Sequence, residues 1–174
     1  MHAKSTKEIG KVLENRFLAE LQKYEPKARL TRNSGGSVEK LDVSSRYFAI
    51  ECKHRRKTRS EFLLDDWQKL LVQAPKCKVP VYVVQNKSGR IGIMFKEQDL
   101  WPAVWTIKNL VHFEGIEAEY KTISITDDEW IIDNPRPETV LLYKVKTTNV
   151  WGHVVICGWD DFWRYLAKPL LEDR

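Results

Sequence analysis

The chain has 174 residues, of which 43% are hydrophobic, enough for one well-packed domain and too apolar for a disordered chain. No run of about 18 apolar residues exists, and Met1–Lys7 shows no signal-type apolar stretch, so a soluble, cytoplasmic protein with no membrane partner is expected. The net charge of +5 is uneven: residues 1–59 hold 15 Lys and Arg against 7 Asp and Glu, residues 60–174 hold 14 against 17, and the basic half suits a polyanionic partner.

From Ser5 to about Tyr24 the apolar residues Ile9, Leu13, Phe17, Leu18 and Leu21 recur at three- and four-residue steps, which predicts an amphipathic helix. Ser5 or Thr6 can cap its start, with Glu8 three residues after Ser5 as a capping-box pattern, and Pro26 forbids its continuation. Glu14 lies on the border of the buried stripe, where an ordinary ion pair competes with a functional role. Ala28–Arg32 reads as a short strand. It runs into Asn33-Ser34-Gly35-Gly36-Ser37, a small-residue loop that lets backbone approach a ligand or simply makes a flexible turn.

Lys40–Ser44 and Tyr47–Lys53 read as two strands with Ser45-Arg46 near the turn. Period-two alternation puts Phe48, Ile50 and Cys52 on one side of the second strand, and Tyr47, Ala49, Glu51 and Lys53 on the other. The run His54-Arg55-Arg56-Lys57-Thr58-Arg59 then leaves the strand as a basic loop, either a phosphate-holding segment or a solvated one. Ser60–Ala74 is helical in pattern, with Phe62, Leu63, Trp67, Leu70 and Leu71 inward and Pro75 as its stop. Gln68 on this helix is a candidate substrate or metal-water contact, or a plain surface glutamine.

Val79–Gln85 and Arg90–Phe95 flank the polar turn Asn86–Gly89 as a hairpin. Beyond it the pattern is less regular, with strand-like stretches at Thr122–Ile125, Trp130–Ile132, Val140–Lys146 and Val150–Cys157, and a final helix from about Asp160 to Leu166. Trp130, Trp151, Trp159 and Trp163 alternate with other apolar residues and are expected in the core. The cysteines Cys52, Cys77 and Cys157 lack Cys-x-x-Cys spacing and read as reduced thiols. The histidines show no paired ligand spacing, so none is assigned to a metal.

The chemistry gathers around Asp42, with Glu51 nine residues later and Lys53 two beyond that. On adjacent strands joined by a tight turn, this spacing brings the two carboxylates together, with Lys53 on the face of Glu51. Side-by-side acidic oxygens repel unless a cation lies between them, and carboxylate oxygens hold hard divalent ions such as Mg²⁺. A metal-dependent hydrolase is the expectation that follows.

A helix glutamate, a strand aspartate and Glu-x-Lys on the next strand, in that order, resemble the PD-(D/E)xK nuclease superfamily. A second Glu-x-Lys, Glu119-Tyr120-Lys121, lacks the preceding parts. The loop Ser34–Ser37 and the helix opening Gly10–Glu14 are similar to the archaeal-type Holliday junction resolvases, over residues 5 to about 96. Leu41 stands where the superfamily name has proline, and residues 97 to 150 have no counterpart in the resemblance.

The resemblance implies an α/β fold: a restriction-endonuclease-like core at 1–96, with a mixed central sheet flanked by helices, and a C-terminal β/α extension at 97–174 packed on it. It implies Glu14, Asp42, Glu51 and Lys53 as catalytic residues, with Asp42, Glu51, Glu14 and the Cys52 carbonyl around Mg²⁺, for which Mn²⁺ can substitute. It implies DNA as partner, held by Arg32, Ser34, Gly35, Gly36, Ser37, His54, Arg55, Arg56, Lys57, Arg59 and Gln68, and a homodimer, nucleoid-associated when bound, cleaving branched DNA in recombination or repair. A sequence-specific restriction-type enzyme and a non-catalytic DNA-binding module of the same fold are the alternatives.

Overall fold

A computed structural model of the chain describes residues 5–31, 41–100, 111–130, 140–146 and 151–172. Helix α1 spans Thr6–Gln22. The Ser5 hydroxyl accepts the Glu8 amide at 3.3 Å, and the Glu8 carboxylate accepts the Ser5 amide at 2.6 Å, closing the expected capping box. The chain leaves the helix at Lys23, three residues ahead of Pro26.

The strands are β1 (Arg29–Leu30), β2 (Val43–Ser44), β3 (Phe48–His54), β4 (Ser60–Leu63), β5 (Val79–Gln85), β6 (Ile91–Lys96), β7 (Val111–Glu117), β8 (Thr122–Ile125), β9 (Val140–Lys146) and β10 (Val154–Gly158). Eight of them form one sheet in the order β1-β2-β3-β5-β6-β10-β9-β7. It is mixed: β3 runs parallel to β5 and β7 parallel to β9, while the other neighbours are antiparallel.

Period-two alternation sorts the strand residues into two cores. On one face Phe48, Ile50, Val81, Val83, Ile93 and Val155 meet Leu13, Phe17 and Leu21 of α1 and Phe162, Trp163 and Leu166 of the C-terminal helical stretch. On the other, Ala49, Tyr82, Val84, Met94 and Ile156 meet α2 (Leu64–Gln73) through Trp67 and Leu70, together with Phe62, Ile123 and Ile125. The result is an α/β fold whose sheet is buried between helices, which is why β5 and β6 are apolar at nearly every position.

Residues beyond 96 continue this sheet: β10 pairs with β6 from Val154↔Lys96 to Gly158↔Gly92. Phe17 of α1 also stacks against Trp163 at 4.8 Å and Trp159 at 5.8 Å. Trp151 and Trp163 are buried, and Trp130 and Trp159 are partly buried against the cores, as expected.

Three expectations change. Ser60–Leu63 is a strand, paired antiparallel with β8, and the helix begins only at Leu64. Ser60 and Phe62 are fully buried and alternate with Glu61 and Leu63, so the β8 ladder outweighs local helical propensity. Leu71 is 36% exposed on the outer side of α2. Trp130 ends a one-turn helix, Asp127–Trp130, capped by Thr126 and Glu129, and residues 131–132 lie outside the described residues. Strand β7 was not anticipated. Among the described residues no helix is long and apolar enough to cross a membrane.

Candidate active site

Strands β2 and β3 pair with Val43 opposite Ile50 and Ser44 opposite Ala49. The Asp42 amide donates to the Ile50 carbonyl at 3.0 Å, so two consecutive residues address Ile50 and the ladder slips, as at a β-bulge. Beyond the slip, the Asp42 carboxylate Oδ2 accepts the Cys52 amide at 2.7 Å. This side chain thereby satisfies a backbone donor of the strand that carries Glu51.

Two residues along one strand share a face, and Lys53 Nζ lies 2.6 Å from Glu51 Oε1. Burial alone lowers the lysine's affinity for its proton. The Glu51 hydrogen bond and charge, with the charges of Asp66 and Asp42, more than offset this and raise its pKa. Asp42 is pushed up to about 7, first by burial and then by Glu51, with the Cys52 amide opposing and Glu14 adding. Glu14 is raised as well, by burial and by Glu51, while Lys11 and Lys53 oppose.

The acid of α1, Asp42 in the bend just ahead of β2, and the acid and lysine of β3 therefore share one electrostatic environment. Cys52 lies beneath them, buried, its thiol pushed up by desolvation and by Asp42. Among the described residues no three His, Cys, Asp or Glu groups cluster to hold an ion by themselves. The donor chemistry of Asp42 and Glu51 still fits Mg²⁺, which commonly keeps several waters and takes only one or two carboxylates. Lys53 engages Oε1 of Glu51, and a carboxylate has a second oxygen.

The basic loop divides in two. Arg55 turns inward: its Nη2 donates to Asp66 Oδ2 and to the Tyr82 hydroxyl, each at 2.7 Å, and its Nε to the Glu61 carbonyl at 3.2 Å. Lys57 and Arg59 stay exposed, both 2.9 Å from Glu61 Oε1. Arg56 is exposed. His54 is half-buried, its Nδ1 without a hydrogen-bond partner and its pKa lowered by burial and by Arg56. Gln68 faces outward on α2, beside Asp65, Lys69 and Val72. Arg32, Ser34, Gly35, Gly36 and Ser37 lie outside the described residues.

Asp66 and Tyr82 were missed by sequence reasoning. Tyr82 is the parallel-ladder partner of Glu51, and its hydroxyl donates to Asp66 Oδ2 at 3.0 Å. Arg55 and Tyr82 hold the Asp66 carboxyl below its ordinary range against the opposing effect of burial. The available signals were a tyrosine inside an apolar run, whose hydroxyl needs a partner, and an acidic pair opening an amphipathic helix. The decoy Glu119-Tyr120-Lys121 forms the turn between β7 and β8, with Tyr120 fully exposed at φ +52°.

Comparison with protein-family models, curated proteins and solved structures yields no match for this chain.

Proposed function

We propose that this chain is a Mg²⁺-dependent DNA endonuclease with a restriction-endonuclease-like core of the PD-(D/E)xK kind, selective for branched DNA and acting as a homodimer. One observation carries it. Glu51 acts on the protonation of Glu14 of α1, of Asp42 just ahead of β2 and of Lys53 of β3, and the paired acids Asp42 and Glu51 beside that lysine favour a cation between them.

Asp42 and Glu51, with the Cys52 carbonyl, are the groups to hold the ion. Mg²⁺, or Mn²⁺ in its place, supplies an acidified water and neutralises charge on the phosphate under attack. The Cys52 amide orients Asp42, so that carboxylate needs no rotamer search. Lys53, kept protonated by its acidic neighbours, donates to the water or to a phosphate oxygen and is no general base. Glu14 adds a carboxylate that accepts from a water at the margin. The exposed Lys57 and Arg59 bind backbone phosphates with little base readout.

The test is a panel of labelled duplex, flap, fork, four-way and single-stranded DNAs, and an RNA, each with Mg²⁺, Mn²⁺ or chelator. Metal-dependent cuts near branch points are expected, in symmetric pairs on a four-way junction as a homodimer requires. Absence of metal-dependent cleavage on every substrate removes the proposal.

A further inference from the structure

The basic loop after β3 is fastened to the turn Asn86–Gly89, which the sequence marks only as the polar turn of a hairpin. Asn86, fully buried, opens the turn between β5 and β6. Its Nδ2 donates to the Thr58 carbonyl at 2.6 Å and to Asp127 Oδ1 at 2.8 Å, and its Oδ1 accepts the Arg90 amide at 3.0 Å. The Lys87 amide donates to the Lys57 carbonyl at 2.8 Å, and the Arg55 amide to the Gln85 carbonyl at 2.8 Å. Three fastenings over Arg55–Thr58 hold the loop as one body with the turn.

The outward cations are also oriented. Lys57 and Arg59, 60% and 49% exposed, converge on one oxygen of Glu61, which is only 12% exposed. Both reach out from a single anchored anion. Lys87, exposed, stands beside them through its backbone link to Lys57. Arg90 Nε lies 3.7 Å from Asp127 Oδ1, which holds its charge on the protein.

We propose that the loop 55–59 and the turn 86–90 form one rigid cationic platform for a nucleic-acid phosphate backbone, in which Lys87 is a direct phosphate contact and Glu61 is a positioning residue. The strand of Glu51 and Lys53 leads straight into this platform, so a polymer held there passes the candidate active site. The assignment rests on the nuclease proposal for its partner. Neither loop carries an apolar side chain, as a membrane-docking segment would. Phosphate contacts need charge at fixed spacing, and pre-ordering long side chains removes an entropy cost on binding.

The experiment is fluorescence anisotropy of the full chain with a labelled DNA duplex in chelator, across a salt series. Lys87→Ala is expected to bind about three- to tenfold more weakly, with a salt slope smaller by about 0.9. Its fold is spared, because the link to Lys57 uses the backbone. Lys23→Ala, an equal charge change at the end of α1, is expected to stay within about twofold of the parent. Wild-type binding by Lys87→Ala, or an equal loss in Lys23→Ala, overturns the platform.

Glu61→Gln discriminates by sign. Removing a negative charge from a mere neutraliser tightens binding, whereas removing a positioning residue weakens it by about two- to fivefold. Tighter binding overturns the role of Glu61. Anionic vesicles bound with the same dependence on Lys87 overturn the nucleic-acid assignment. Lys87-dependent DNA binding without cleavage in Mg²⁺ refutes the nuclease proposal alone, and cleavage that ignores Lys87 refutes the platform alone.

Discussion

Asp42 Oδ2 accepts the Cys52 amide at 2.7 Å, tying the first acid of the candidate site to the strand that presents the second. A strand amide at this point ordinarily finds a ladder carbonyl, but the slip at Asp42 makes a side chain its acceptor. The orientation of Asp42 is therefore a property of the backbone, and it survives loss of the charge.

That relationship makes Asp42→Asn a clean variant, since the amide oxygen of asparagine still accepts from Cys52. Asp42→Asn and Glu51→Gln are each expected to lower Mg²⁺-dependent cleavage by roughly a hundredfold or more, while DNA binding in a gel shift is largely unchanged. Undiminished cleavage by either variant would falsify the site.

Stability should depend on pH through Asp42. Its carboxyl titrates at about 7 in the fold against 3.8 ordinarily, so the folded state holds this proton more tightly. The resulting stabilisation is full below about pH 4 and is lost as pH rises through about 7. Glu14, also raised, acts in the same direction. Urea midpoints of the metal-free chain are expected to fall relative to Asp42→Asn across this window and to level off above it. Parallel pH profiles for the two proteins contradict this.

Asn86 is buried with both ends of its amide engaged. Asn86→Ala strands the Thr58 carbonyl and the Arg90 amide, and a cost of about 1–3 kcal/mol is expected from urea unfolding. The same variant should weaken DNA binding in step with Lys87→Ala. A destabilised protein with unaltered affinity separates the fastening from the surface it serves.

Gly92 in β6 has no room for a side chain: an added Cβ meets Phe62 Cζ at 2.8 Å and Trp130 Cζ2 at 2.9 Å. Gly92→Ala is expected to cost about 1–3 kcal/mol by overpacking. The cost should shrink in a Phe62→Leu background, where the nearest ring is gone, and a double-mutant cycle by thermal unfolding reads that coupling. Full additivity places the strain elsewhere.

Local patterns in the chain were enough to place α1 with its capping box, the pairing of β2 with β3, the hairpin of β5 and β6, and the shared face of Glu51 and Lys53. Each depends on contacts within a few residues or on the periodicity of one element, so neighbours in sequence suffice. Tertiary structure alone decided the rest. Ser60–Leu63 became a strand because β8 lies alongside it, some 60 residues on. Arg55 turned inward because Asp66 of α2 and Tyr82 of β5 meet it. Pairing partners and counter-charges are set by which distant segments the fold brings alongside, and that information is spread over the whole chain.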